Sequence, residues 1–176
     1  MKQIFASALF AVAFLFGTIA HAQQKDKMKR PSPPAQVTQT LASGATVTIS
    51  YSQPSLKGRT IGKDVEPMRG QVWRMGANEA TTFETDMDVT IEGQKLPAGK
   101  YSVFGLWGDD GYTIIFNKAA SIWGTEYDKN KDKDALKVVV RPGTSGASQE
   151  KLTYTISPEG LVTMLWGGMV INFNVA

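Results

Sequence analysis

Alternation of apolar and polar residues with a period of two is the feature that most constrains this chain. Val47, Ile49 and Tyr51 alternate with two threonines and a serine, which places the apolar side chains on one face of an extended strand. Similar β-rich runs predict further strands over residues 81–85, 88–92, 100–107, 112–117, 136–141, 152–157, 161–166 and 170–175. No segment shows the amphipathic pattern of a three-turn helix. The chain is therefore expected to be all-β.

Turn residues separate these runs at short intervals. Asp110-Gly111 lies between two β-rich runs and predicts a tight hairpin, and Gly167-Gly168 predicts a turn between the last two strands. The last three strands are thus expected to form a meander. Many short strands without helical crossovers favour an antiparallel β-sandwich, with a jelly roll or a partly closed barrel as alternatives.

The N-terminal region has the pattern of a secretory signal peptide. Lys2 precedes an apolar run from Ala8 to Phe16, and Ala20-His21-Ala22 has the small-x-small form of a cleavage site. We expect residues 1–22 to be removed near Ala22, which leaves no membrane span and places the protein in the periplasm or outside the cell. Residues 23–34 are rich in Lys and Pro and predict a flexible tether, and residues 35–176 have the length of a single domain.

Histidine and cysteine are absent from the expected mature chain, because the one histidine is His21 and the sequence has no cysteine. The protein therefore lacks the usual general base near neutral pH, the thiolate nucleophile and the commonest transition-metal ligands. We expect no metal site and no cofactor. Loss of Lys2 leaves 18 Lys+Arg against 16 Asp+Glu, and this small excess gives no indication of a nucleic-acid partner.

The segment from Tyr51 to Thr82 interrupts the alternation and carries most of the candidate site residues. Guanidinium groups bind carboxylates and phosphates, a Trp ring offers an apolar face, and Asn and Glu hydrogen-bond hydroxyl groups. The predicted ligand is therefore small and anionic or sugar-like. The candidate ligand-binding residues are Lys57, Arg59, Trp73, Arg74, Asn78 and Glu79. A structural role is equally compatible with the pattern, since an Arg beside a Glu can tie down a loop and Trp73 can belong to the core.

Two other functions remain open from the sequence. A carboxylate-based glycan hydrolase needs only two acids, for which Glu79 is the weak catalytic candidate, with Glu66 or Asp64 as its partner. A structural protein that docks with envelope partners would use an exposed sheet edge. The missing histidine and cysteine favour binding over catalysis, and the sequence does not indicate an oligomeric state.

Two other patterns concern metal and aromatic sites. Asp128, Asn130, Asp132 and Asp134 have the alternate spacing of calcium-loop ligands, but lysines separate them and the required Gly and Glu are absent, so we interpret this segment as a solvated loop. Trp123 precedes a glycine and is the predicted aromatic companion of Trp73 for ligand contact.

Three motifs connect the chain to a known family. They are YSQPSLKGR at residues 51–59, VWRMGANEAT at residues 72–81 and LPAGKYSVF at residues 96–104. In these motifs the chain resembles the secreted bacterial domain-of-unknown-function family 2911, from about Pro33 to Val175. The resemblance implies a protein with a signal peptide and implies no activity, substrate or catalytic residue.

Overall fold

The computed structural model describes residues 26–176. The predicted signal peptide and the first residues of the predicted tether lie outside this range. Its strands are β1 (Pro34–Thr40), β2 (Thr46–Ser52), β3 (Val72–Trp73), β4 (Thr81–Thr85), β5 (Val89–Ile91), β6 (Gln94–Leu96), β7 (Gly99–Trp107), β8 (Tyr112–Asn117), β9 (Asp134–Val140), β10 (Gly143–Ile156) and β11 (Leu161–Asn174). Two short 3₁₀ turns, Tyr127–Lys129 and Lys131–Lys133, precede β9. Within residues 26–176, no helix combines the length and apolarity needed to cross a membrane.

The strands form one large antiparallel sheet and two hairpins. The large sheet has the order β1-β2-β4-β7-β8-β9, with β3 also paired to β7, while β10 pairs with β11 and β5 with β6. The hairpins pack on the inner face of the large sheet, where Phe116 contacts Phe83 edge-on at 5.3 Å and Phe173 of β11 at 6.1 Å between ring centroids. Trp73 stacks on Trp166 of β11 at 5.7 Å. The protein is an all-β antiparallel sandwich, as the alternation predicts.

The last strand differs from the sequence prediction. β11 runs from Leu161 to Asn174 without a break, so the predicted turn at Gly167-Gly168 is wrong. Gly167 has a left-handed backbone (φ 57°) inside the strand. The opposite strand, β10, bulges here, because Thr144 pairs with Met169 and Gln149 pairs with Gly167, so five steps along β10 match two steps along β11. A side chain at Gly167 would also begin 3.0 Å from the Ile61 side chain. The glycine therefore accommodates a bulge and a close contact, and it does not reverse the chain.

The outer face of the large sheet carries a row of polar side chains aligned across five strands. Cross-strand pairing places this row in the order Gln36, Ser50, Thr82, Ser102 and Asn117. The segment 119–134 covers one end, because the Ser102 hydroxyl donates to the Ala119 carbonyl at 2.7 Å and Asn117 donates to the Asn130 carbonyl at 2.7 Å. The Ser50 and Thr82 end stays only partly covered.

Candidate functional site

The structure distributes the six predicted ligand-binding residues over separate regions. Arg59 lines a cleft of about 770 Å³ beside the β10–β11 hairpin, and Glu79 lines another of about 390 Å³ on the outer face of the large sheet. We call these the apolar cleft and the polar cleft. They share none of their lining residues within the described chain. Trp107 of the apolar cleft and Lys100 of the polar cleft lie seven residues apart on β7, roughly 23 Å at about 3.3 Å per residue.

The apolar cleft lies between the segment after β2 and the bulged part of the hairpin. Its apolar lining includes Leu56, Ile61, Trp107 and Met169, and Gly167-Gly168 contributes backbone without side chains. Residues 145–148 of β10 face only Gly168 on β11, so the extra residues form a bulge at the rim. The cleft therefore depends on irregular pairing between two long strands.

Arg59 is the one charged residue among the described residues that line the apolar cleft. Its Nε donates to the Leu56 carbonyl at 2.8 Å and its Nη2 donates to the Ser55 carbonyl at 2.7 Å. No acidic side chain within residues 26–176 forms a salt bridge with it. The guanidinium is therefore held in place by backbone acceptors, while no carboxylate among the described residues neutralises its charge.

Lys57 lies near Arg59 but has an exposed side chain and does not line the cleft. Its backbone N–H donates to Glu150 Oε1 at 2.8 Å. The neighbouring Leu56 N–H donates to the Glu150 carbonyl at 2.9 Å. These bonds attach the segment that carries Arg59 to β10.

Trp73, Arg74 and Asn78 line neither cleft. Trp73 is 3 % exposed, and its indole N–H donates to the Gly76 carbonyl at 3.0 Å, so it belongs to the core. The Arg74 side chain packs closely against Gly124, where an added Cβ would collide with it. Asn78 has a left-handed backbone (φ 60°) and donates from Nδ2 to the Ser32 carbonyl at 3.1 Å.

Glu79 is paired with two cations from the segment that precedes β1. Arg30 Nη1 donates to Oε2 at 2.8 Å and to Oε1 at 3.0 Å, and Lys27 Nζ lies 3.1 Å from Oε1. Partial burial acts to raise the pKa of Glu79, but hydrogen bonds from its own backbone and from Arg30 and Lys27 outweigh burial and lower that pKa. The predicted tether thus contacts the sandwich in this region.

These contacts bear on Glu79 as the candidate catalytic acid. A general acid needs a raised pKa, whereas Glu79 is held as a carboxylate. Its proposed partners do not line the polar cleft: Asp64 accepts the Thr60 N–H at 2.9 Å, and Glu66 accepts the Met68 N–H at 2.8 Å. The geometry favours a structural or electrostatic role for Glu79.

Asp134, the last of the calcium-loop-like positions and the first residue of β9, is tied into internal contacts. Asp134 accepts hydrogen bonds from Asn117 at 2.7 Å and from Tyr127 at 2.8 Å, and it pairs with Lys137 at 2.9 Å. Burial and the adjacent Asp134 raise the pKa of Tyr127. In the described part of the chain, no group of three or more acidic, His or Cys side chains is arranged to hold a metal ion.

The predicted tryptophan pair is not brought together. Trp123 is 46 % exposed and its backbone bridges to Glu79, whereas Trp73 stacks on Trp166 inside the sandwich. The sequence patterns did not indicate Lys27 and Arg30, which lie far from Glu79 along the chain, and they predicted a turn at Gly167-Gly168, which lines the apolar cleft.

The comparisons with known proteins identify a family. A family model described as "Protein of unknown function (DUF2911)" matches residues 32–175. Neither the comparison with curated proteins nor that with solved structures finds a match. The chain belongs to the DUF2911 family of proteins of unknown function.

Proposed function

We propose that this protein is an exported binding domain that holds a small amphipathic anion in the apolar cleft. The observation that carries the proposal is an apolar lining with a single charge, that of Arg59. The cleft volume of about 770 Å³ lies within the range of about 300–1,000 Å³ typical of small-molecule sites. Export rests on the signal-peptide pattern of residues 1–22.

The two parts of such a ligand would meet different surfaces. Its apolar part would pack against Leu56, Ile61, Trp107 and Met169, which releases water from apolar area. Its anionic group would accept hydrogen bonds from the N–H donors of Arg59 that the Ser55 and Leu56 carbonyls leave unused. Because those carbonyls already orient the guanidinium, binding loses less side-chain entropy than it would with a free arginine.

Binding is favoured over catalysis by the side chains present. Among the described residues, the lining contains hydroxyl groups such as Ser145 and Ser148 but no carboxylate that would act as a general base. A hydroxyl without a base is a weak nucleophile, and the cleft therefore has the features of a binding site.

The size of the cleft can be tested by filling it. Anilinonaphthalene sulfonate, an aromatic anion that fluoresces in apolar sites, serves as the probe. A Cβ at Gly168 would meet only the Ser145 carbonyl at 3.9 Å, so Gly168→Leu is expected to keep the fold and to weaken probe binding at least tenfold. Gly146→Leu is the matched control, because a Cβ there meets nothing within 4 Å and Gly146 does not line the cleft.

The role of the charge can be tested with a pair of competitors. Phenylbutyrate should displace the probe from the parent protein better than the neutral phenylbutanol, and Arg59→Met should remove that preference. Arg141→Met is the control, since Arg141 is exposed and borders the cleft without lining it. Equal displacement by both competitors, or unchanged probe binding in Gly168→Leu, would contradict the proposal.

A further inference from the structure

The polar cleft has a floor of hydroxyl groups on the outer face of the large sheet. Ser50 and Thr82 are paired across β2 and β4, and Ser52 follows on β2. Lys27 and Arg30 line it from the segment before β1, while Ser121 lines it from the loop after β8. The volume of about 390 Å³ suits a small ligand.

Positive charge exceeds negative charge in this cleft. Among the described residues, its lining carries three cations, Lys27, Arg30 and Lys100, and one anion, Glu79. Lys100 also pairs with Glu84 at 3.1 Å, but Glu84 does not line the cleft and both side chains are about half exposed. A net positive, concave surface attracts oxyanions.

The cations already hold an oxyanion that belongs to the protein. Lys27 Nζ lies 3.1 Å from Glu79 Oε1, and Arg30 Nη1 lies 2.8 Å from Glu79 Oε2. Both hydrogen bonds from Arg30 to this carboxylate come from Nη1. No acceptor within residues 26–176 hydrogen-bonds to Nε or Nη2 of Arg30. With respect to the described residues, the guanidinium thus keeps donors for a second oxyanion beside Glu79.

We propose that the polar cleft is a second binding site, independent of the apolar cleft, for a small polyhydroxylated oxyanion such as a sugar acid or a sugar phosphate. Arg30 and Lys100 hold the charged group, and the hydroxyls of Thr82 and Ser121 bind ligand hydroxyls. The carboxylate of a sugar acid and the phosphate of a sugar phosphate both present negatively charged oxygen acceptors to these side chains. The experiment below distinguishes the two groups.

Such a ligand connects the segment before β1, which carries Lys27 and Arg30, to the large sheet, where Lys100 lies on β7. Binding is therefore expected to slow trypsin cleavage after Lys27 and Lys29, since proteolysis requires local opening of the chain. Lys29 is exposed and outside the cleft lining, so its cleavage reports on the segment without direct masking by the ligand.

The test uses titration calorimetry on the mature chain at low salt with glucuronate, glucose phosphate and neutral glucose. We expect saturable binding of at least one anion and none of glucose, with weaker binding at high salt. Lys100→Met should weaken the anion about three- to tenfold, because the lysine is partly exposed, and it leaves the Glu79 pairs intact. Arg30→Met should weaken it more and should abolish the protection from trypsin.

Lys95→Met is the matched control, because Lys95 is exposed on β6 and does not line the cleft. Affinity in this variant should equal that of the parent. The proposal is overturned if no anion binds saturably, if glucose binds as tightly as glucuronate, or if Lys100→Met and Lys95→Met have the same affinity. Which of the two anions binds more tightly identifies the carboxylate or the phosphate as the preferred group.

Discussion

Replacement of Tyr112 by phenylalanine should stabilise the protein. Tyr112 is fully buried, and its hydroxyl has no hydrogen-bond partner among the described residues. A buried polar group without a partner costs about 1–3 kcal/mol. Phenylalanine keeps the ring and removes that cost, but it leaves a small void where the oxygen was. We expect a net gain of about 1 kcal/mol, or roughly 2–4 °C in Tm for a chain of this size.

Tyr154→Phe is the matched control, because this buried tyrosine does have a partner. Its hydroxyl donates to the Met75 carbonyl at 2.8 Å. The Thr81 hydroxyl donates to the same carbonyl at 2.9 Å, so the acceptor keeps one partner when Tyr154 is changed. The expected loss is therefore that of one hydrogen bond, about 0.5–1.5 kcal/mol.

Urea denaturation followed by circular dichroism measures both variants against the parent. The two variants are expected to change the free energy of unfolding in opposite directions, with a higher urea midpoint for Tyr112→Phe and a lower one for Tyr154→Phe at an unchanged m value. A loss of stability in Tyr112→Phe would refute this expectation, because that result requires the hydroxyl to be hydrogen-bonded in solution, for example to a buried water.

Three further predictions concern packing and pH. An added Cβ at Gly105 would collide with the buried Tyr112 ring, so Gly105→Ala should lower the free energy of unfolding by about 1–3 kcal/mol or more. Gly146→Ala should leave the free energy of unfolding nearly unchanged in the same urea assay, because a Cβ there meets nothing within 4 Å. Burial raises the pKa values of Tyr51 and Tyr154 above the unfolded value of about 10. Stability should therefore be retained below about pH 10 and fall at higher pH, as the unfolded chain loses protons first, and tyrosinate absorbance should rise together with unfolding. Because the pKa of Glu79 is lowered in the folded protein, its ion pairs should contribute to the free energy of unfolding at pH values above the unfolded pKa of about 4.3. This contribution should be lost as the pH falls through the folded pKa. Glu79→Gln should accordingly cost less than about 1 kcal/mol at neutral pH, since the ion pairs are partly exposed, and the difference from the parent should shrink in acid.

The strands with clear alternation could be predicted because their pattern is local. β2 has Val47, Ile49 and Tyr51 on its buried face, and β7 and β8 are joined across Asp110-Gly111 as expected. β1 was missed because its apolar content is low and it lies at the sheet edge, and β3 and β6 are too short to show a period. Gly167-Gly168 was misread because a glycine pair indicates unusual backbone angles in a bulge as well as in a turn.

The sequence by itself determined an all-β chain and indicated Arg59 and Glu79 among six candidate binding residues. This information is available locally, since neighbouring residues on a strand point to opposite faces and a charged loop residue stands out by composition. Only the tertiary structure decided that these two residues lie in different clefts and that Trp73 belongs to the core. It also brought Arg30 to Glu79, 49 residues away along the chain. Such partners are set by strand register and by the packing of the two layers, and neither is encoded in the spacing of residues along one segment.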